Sequence, residues 1–149
     1  WKLDTGSNPL DAAPGELTLG SGHQSVGASL TAVTVADPAA FFGGLSYTHN
    51  LATGSEIGRY RPGDSYGFNL GLALALNLGS SLSFAYDHRF TEVARLDGAT
   101  IQGSRATTGI LSIGASYSSL RARTFDFSIG VGVTEDAPDL LITTSLPLR

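Results

Sequence analysis

From Tyr66 to Leu78 the chain alternates large apolar residues with small or polar ones. Tyr66, Phe68, Leu70, Leu72, Leu74, Leu76 and Leu78 take the even positions; Gly67, Asn69, Gly71, Ala73, Ala75 and Asn77 take the odd ones. A period of two belongs to an extended strand, whose successive side chains point to opposite faces. At roughly 3.4 Å per residue such a strand reaches about 40 Å, twice the ~17–20 Å usual in soluble sheets. Tilted by about 45°, it can cross a bilayer, for which about 9–11 residues suffice.

The alternation returns along the chain. Phe41, Leu45 and Tyr47 stand opposite Ser46, Thr48 and Asn50; Leu82, Phe84, Tyr86 and Phe90 stand opposite Ser83, Ala85, Asp87 and Arg89. Leu111, Ile113, Ala115 and Tyr117 form another apolar set, and Phe125, Phe127, Ile129, Val131 and Val133 face away from Asp126, Ser128, Gly130 and Gly132. The last segment runs Leu140, Ile142, Thr144, Leu146, Leu148. Between Val26 and Ala36 the apolar parity changes near Val33, which predicts a strand with a bulge.

The connectors alternate too. Asp37-Pro38-Ala39, Gly79-Ser80-Ser81 and Ser118 to Arg123 are short; Thr5 to Ser25, Ala52 to Asp64 and Ala94 to Arg105 are long and polar. Short turns at one end and long loops at the other are the pattern of outer-membrane barrels, with the short side periplasmic. Glu135 to Asp139 breaks the pattern as a short connector on the predicted outer side. The expected fold is all-β: a transmembrane up-and-down antiparallel β-barrel, with residues 1–149 as a single domain. Seven segments are long enough to span, Trp1 to Asp4 is only a stub, and bacterial single-chain barrels close with even numbers from eight upward. The expectation is a C-terminal part of a larger barrel, with a complete eight-stranded ring as the alternative.

Charge placement turns the strand argument toward lipid. Only 15% of residues are charged, against about 25% in soluble domains. Every Lys, Arg, Asp and Glu falls in a connector, near a strand end or on the small-residue face, and the apolar face is expected to carry only His88. A Lys or Arg at the bilayer midplane costs about 2–4 kcal/mol, which gives that avoidance a cause. A soluble sandwich would show the opposite, with charged residues filling the face turned away from the leucines. Tyr47, Tyr66 and Phe90 near the long-loop ends, and Phe41, Phe84, Tyr117 and Phe125 near the short turns, suit two interfacial girdles, although strand propensity alone also favours aromatics. A net charge of −4 argues against a nucleic-acid partner. With no Cys there is neither a disulfide framework nor a thiolate metal site.

The segment Phe125 to Arg149 resembles the C-terminal hairpin of outer-membrane transporter-like proteins. The words Gly-Val-Gly-Val-Thr-Glu-Asp-Ala-Pro-Asp and Ser-Leu-Pro-Leu-Arg carry the likeness. That family is grouped with the meta-pathway phenol-degradation outer-membrane proteins and is similar to the secretion pores of functional-amyloid systems. The resemblance implies a channel or transporter component that passes small or hydrophobic solutes, or a secreted polypeptide, without catalysis. A structural or surface-binding barrel acting through its extracellular loops is the second expectation, and an outer-membrane hydrolase the third. The expected location is the bacterial outer membrane, and the expected partners are its lipid and, as an option, further copies of the chain in a homo-oligomer.

Candidate chemistry is sparse. Asp87, Arg89 and Asp126 are expected to face the lumen, where they would tune passage or pair with one another. Glu56, Arg59, Arg61 and Asp64, with Tyr60, lie on a long loop that could form a constriction or simply be solvated. Asp4-Thr5-Gly6-Ser7 looks like an aspartic-protease turn but has no second copy to supply the paired carboxylate. His23, His49 and His88 are scattered without metal-ligand spacing, so no metal and no cofactor are expected. Asp87 and His88 are adjacent on a strand and should point to opposite faces, which disfavours a base with its orienting carboxylate.

Overall fold

The computed structural model describes residues 22–55, 58–118 and 124–146. The stub Trp1 to Asp4, the Asp4-Thr5-Gly6-Ser7 word, Glu56, positions 119–123 of one short turn and positions 147–149 lie outside the described residues.

The long alternating segments are strands β1 (Ser25–Ala36), β2 (Ala39–Asn50), β5 (Ser65–Asn77), β6 (Ser80–Thr91), β9 (Ala106–Ser118), β10 (Thr124–Gly132) and β11 (Leu140–Ser145). They form one seven-stranded sheet in the order β1-β2-β5-β6-β9-β10-β11, so each pairs with its neighbour in sequence. Short strands inside the long loops, β3 (Thr53–Ser55), β4 (Gly58–Arg61), β7 (Arg95–Leu96) and β8 (Ala99–Thr100), make a second sheet of four. By its contacts the chain divides into two compact units. A strand unit comprises Leu30–Leu45, Gly67–Arg89 and the described residues from Thr107 on; a loop unit comprises Ser46–Tyr66, Phe90–Ala106 and the described residues up to Ser29.

In the strand unit, pairing preserves the two-faced pattern. Across β9, β10 and β11, Ile113 is opposite Ile129 and Ile129 opposite Ile142, while Ser128 pairs with Gly114 and Thr143. A slip of one residue in any pair would turn an apolar set onto the polar face, so the alternation itself specifies this register. The three isoleucines remain 53%, 40% and 59% exposed. Among the described residues no large side chain is fully buried, and the only buried hydrophobic residue is Ala94. A sheet that buries no core and keeps a continuous apolar face open is built for contact with something apolar beyond itself. Phe125 faces Tyr117 across β9 and β10.

Two details correct the sequence reading. The parity change in β1 is not a bulge. The two-residue connection sets Ala36 opposite Ala39, and a side chain at Gly44 would touch Thr31, which is the partner that an unbroken register demands. Thr31 therefore stands on the small-residue face, and Val33 and Val35 follow it there by alternation. Phe42, at the register position opposite Val33, shares that face, and its ring lies over Gly71, where any Cβ would collide with it. The second correction concerns His49. β2 extends to Asn50, which puts His49 on the same face as Tyr47, so His88 is not the only histidine on the apolar face. His88 itself is accommodated: its Nδ1 lies 2.7 Å from the Tyr86 hydroxyl, and its ring stacks on Phe68 at 5.4 Å.

The connector after β10 closes by side-chain bonds. Asp136 Oδ2 accepts the Thr107 N–H at 2.7 Å, and Thr134 Oγ1 accepts that of Gly109 at 2.8 Å. At Gly132 a side chain would strike the Pro138 carbonyl. The Gly-Val-Thr-Glu-Asp-Ala-Pro word thus has a local physical reading: a close backbone approach at Gly132 and two side-chain caps on the start of β9.

Candidate functional site

The richest polar chemistry among the described residues lies in the loop unit. Asp64, just before β5, accepts the Asn50 N–H on Oδ1 at 3.0 Å. Its Oδ2 meets His49 Nδ1 at 2.8 Å and accepts the Tyr47 hydroxyl at 3.1 Å, with the Arg61 guanidinium 3.6 Å away. Partial burial pushes the Asp64 carboxyl up, but the Asn50 amide, His49 and Tyr47 together outweigh it and hold the group below its ordinary range. Backbone contacts complete the junction. Asn50 Nδ2 donates to the Gly63 carbonyl at 2.6 Å, the Glu92 N–H donates to the Asp64 carbonyl at 2.8 Å, and a Cβ at Gly63 would collide with the Glu92 backbone. Above this junction Tyr66 and Phe90 stack at 5.4 Å.

The described residues of the loops Ala52 to Asp64 and Ala94 to Arg105 carry short strands of their own. β3 and β4 form one hairpin and β7 and β8 another, joined by antiparallel pairing of Tyr60 with Leu96 and Arg61 with Arg95. Asp97 and Gly98 have φ of 50° and 83°, the left-handed pair that a two-residue type I′ turn demands. The Asp-Gly dipeptide was the available signal, hidden because only two residues of strand flank it on each side. Asp97 also fastens the two hairpins: its Oδ1 accepts the Arg59 N–H at 2.7 Å, and its own N–H donates to the Arg59 carbonyl at 2.9 Å.

This small sheet has two unlike faces. Tyr60 and Leu96 pair on one. Arg59 and Arg61 alternate on β4, and Arg95 lies directly opposite Arg61, so three guanidinium-bearing residues share the other. All three line a cavity of about 410 Å³, together with His49, Leu51 and Gly98.

Of the sequence-selected residues, the structure gathers Arg59, Arg61 and Asp64 in this unit and adds Tyr47, His49, Asn50 and Arg95, which sequence reasoning had not assigned to any site. Asp87, Arg89 and Asp126 belong to the strand unit, each exposed on the small-residue parity of its strand, and no ion pair joins them. Asp87 and His88 alternate on β6, and the His88 ring is engaged by Tyr86 and Phe68. Among the described residues no group of three or more His, Asp or Glu side chains is placed to hold a metal.

No protein-family model matches the sequence. The structure is similar to the crystal structure of an outer membrane channel from Pseudomonas putida F1, with a TM-score of 0.77 and 21% sequence identity over 97% of this chain. The fold is of the outer-membrane β-barrel type. The chain spans 54% of that channel, about half its length.

Proposed function

We propose that the chain forms part of a passive channel in the bacterial outer membrane, which moves small or hydrophobic solutes or a secreted polypeptide without chemistry on them. One observation carries this reading: an apolar face held in register across β9, β10 and β11 yet left open, backed by a small, polar face of Ser, Gly and Thr. Lipid suits the first face and an aqueous path the second. The likeness to an outer membrane channel supports it. Asp87, Arg89 and Asp126 then line the path, and the loop residues Arg59, Arg61 and Asp64 are the candidates for a constriction. A barrel that acts through its surface loops is the second reading, favoured by the folded loop sheet and its cavity.

Single-channel recording in planar bilayers tests the proposal. Discrete conductance steps are expected, and Asp87→Asn with Asp126→Asn should lower the preference for cations in a salt gradient. A bilayer-inserted protein that never conducts would overturn the channel reading in favour of the loop-acting one; a selectivity unmoved by both substitutions would take Asp87 and Asp126 off the path.

A further inference from the structure

We infer that the Arg59, Arg61 and Arg95 face of the loop sheet is an oxyanion-binding site, suited to a phosphate-type group that is either dissolved or carried on a lipid headgroup. The inference stands apart from the channel reading, because binding requires the loop sheet and not conduction.

The arrangement is unfavourable without a ligand. Arg61 and Arg95 are directly opposite in an antiparallel pair, where like charges destabilise a sheet, and Arg59 extends the same row two residues along β4. The β7–β8 turn is specified by Asp97 and Gly98 and the pairing of β4 with β7 by Tyr60–Leu96, and neither calls for a cation.

The nearby carboxylates neutralise the row only in part. Asp64 pairs with Arg61 at 3.6 Å but is shared with the Asn50 amide, His49 and Tyr47. Asp97 directs its Oδ1 to the Arg59 backbone and not to its guanidinium. Glu92 lines a neighbouring space of about 50 Å³ with Arg61 and Arg95 but forms an ion pair with neither. Among the described residues, Arg59 and Arg95 form no ion pair at all. A guanidinium offers five donors in a planar fork that matches phosphate or carboxylate oxygens, so the donor set points to an oxyanion rather than a halide.

There is also room. The cavity of about 410 Å³ lies within the size range of small-ligand sites. Gly54, the residue opposite Arg59 on β3, has open space where a side chain would project. The overall charge of −4 would repel an anion at long range, so short-range hydrogen bonds from this row must do the holding. Tyr47 and His49, which reach Asp64 beside the row, belong to the apolar-face parity of β2, which is where a lipid headgroup would be met.

The test is calorimetric titration of the protein, folded in a neutral maltoside detergent, with inorganic phosphate. A parallel arm uses vesicles of phosphatidylcholine alone and of phosphatidylcholine mixed with phosphatidylglycerol. Binding is expected to weaken about tenfold for each of Arg59→Gln and Arg95→Gln and to be unchanged in Arg105→Gln. Arg95→Gln should also melt higher than the parent without ligand, and phosphate should raise the melting temperature of the parent by more than that of the variant. Preference for phosphate identifies a dissolved ligand, and preference for the phosphatidylglycerol vesicles a headgroup; either supports the site. Failure to bind both probes, or equal binding by the parent and the Arg59→Gln/Arg95→Gln double variant with its folded, heat-modifiable form intact, overturns it. A non-conducting protein that still binds phosphate would remove the channel reading alone; a conducting one that binds neither probe would remove this one alone.

Discussion

The strand unit and the loop unit are stabilised by different physics. In the strand unit, long strands alternate large and small residues, the partners across β9, β10 and β11 repeat the same type, and the ordering information lies in a period of two. In the loop unit the strands are two to four residues long and cannot carry a readable period. Its order comes from individual polar contacts: Asp64 with three donors, Asp97 with the Arg59 backbone, Ser104 Oγ accepting the Ala94 N–H at 2.8 Å and donating to the Ile101 carbonyl at 2.7 Å. One unit distributes its stability over a repeated pattern, and the other concentrates it in a few side chains. The first should therefore tolerate changes that keep the pattern, whereas the second should be sensitive to single atoms.

The strongest test of that contrast is a charge placed on each face of one strand. Ile129→Arg, in the middle of the isoleucine row, should destabilise the protein by about 2–4 kcal/mol in urea-dependent folding into vesicles. Ser128→Arg, next to it on the other face, should cost less than half as much. Equal costs would mean that the two faces meet the same medium, and the comparison would collapse.

A smaller effect separates the units through glycine. Gly63→Ala drives a Cβ into the Glu92 backbone, which cannot swing aside, and should cost about 1–3 kcal/mol. Gly71→Ala meets the outer edge of the Phe42 ring, which can rotate away, and should fall at the lower end of that range. Thermal melts of the two variants in detergent would show whether the polar junction is indeed the less forgiving place.

The smallest expected effect is that of Asp64→Asn, about 1 kcal/mol at neutral pH, since the amide keeps an oxygen acceptor but loses the charge. Its value lies in the pH dependence. Because the folded-state carboxyl titrates below its usual range, its stabilisation is complete above the ordinary Asp value of about 3.9 and is lost as pH falls through the lowered one. The difference in melting temperature between parent and variant should therefore shrink in that acidic window and vanish below it. A difference that persisted at the lowest pH would show that shape, not charge, makes Asp64 important.

The legibility of each region in the sequence follows the same division. β5 and β6 could be read to within a residue or two, because alternation over a dozen positions leaves no competing period. The error in β1 came from treating apolar character as a marker of one face: Val33 and Val35 occupy the small-residue face, opposite and beside Phe42, where local neighbours and not a global pattern decide what fits. Arg59, Arg61 and Asp64 were visible as a loop cluster, but Arg95 lies on a different loop, and nothing along the chain announces that it would stand across from Arg61. His49 looked isolated for the same reason, since its carboxylate partner is fifteen residues away across a strand junction.

What the sequence alone determined was the class of structure: strands of membrane-crossing length, two unlike faces, and alternating connector lengths. These are repeated local properties, and repetition makes them robust to the details of any one contact. What only the tertiary structure decided was the content of the loop unit: the pairing of β4 with β7, the Asp64 junction and the row of three arginines. Each depends on one register or one hydrogen bond between segments distant in the chain, and such contacts are set by packing in three dimensions rather than by any period along it.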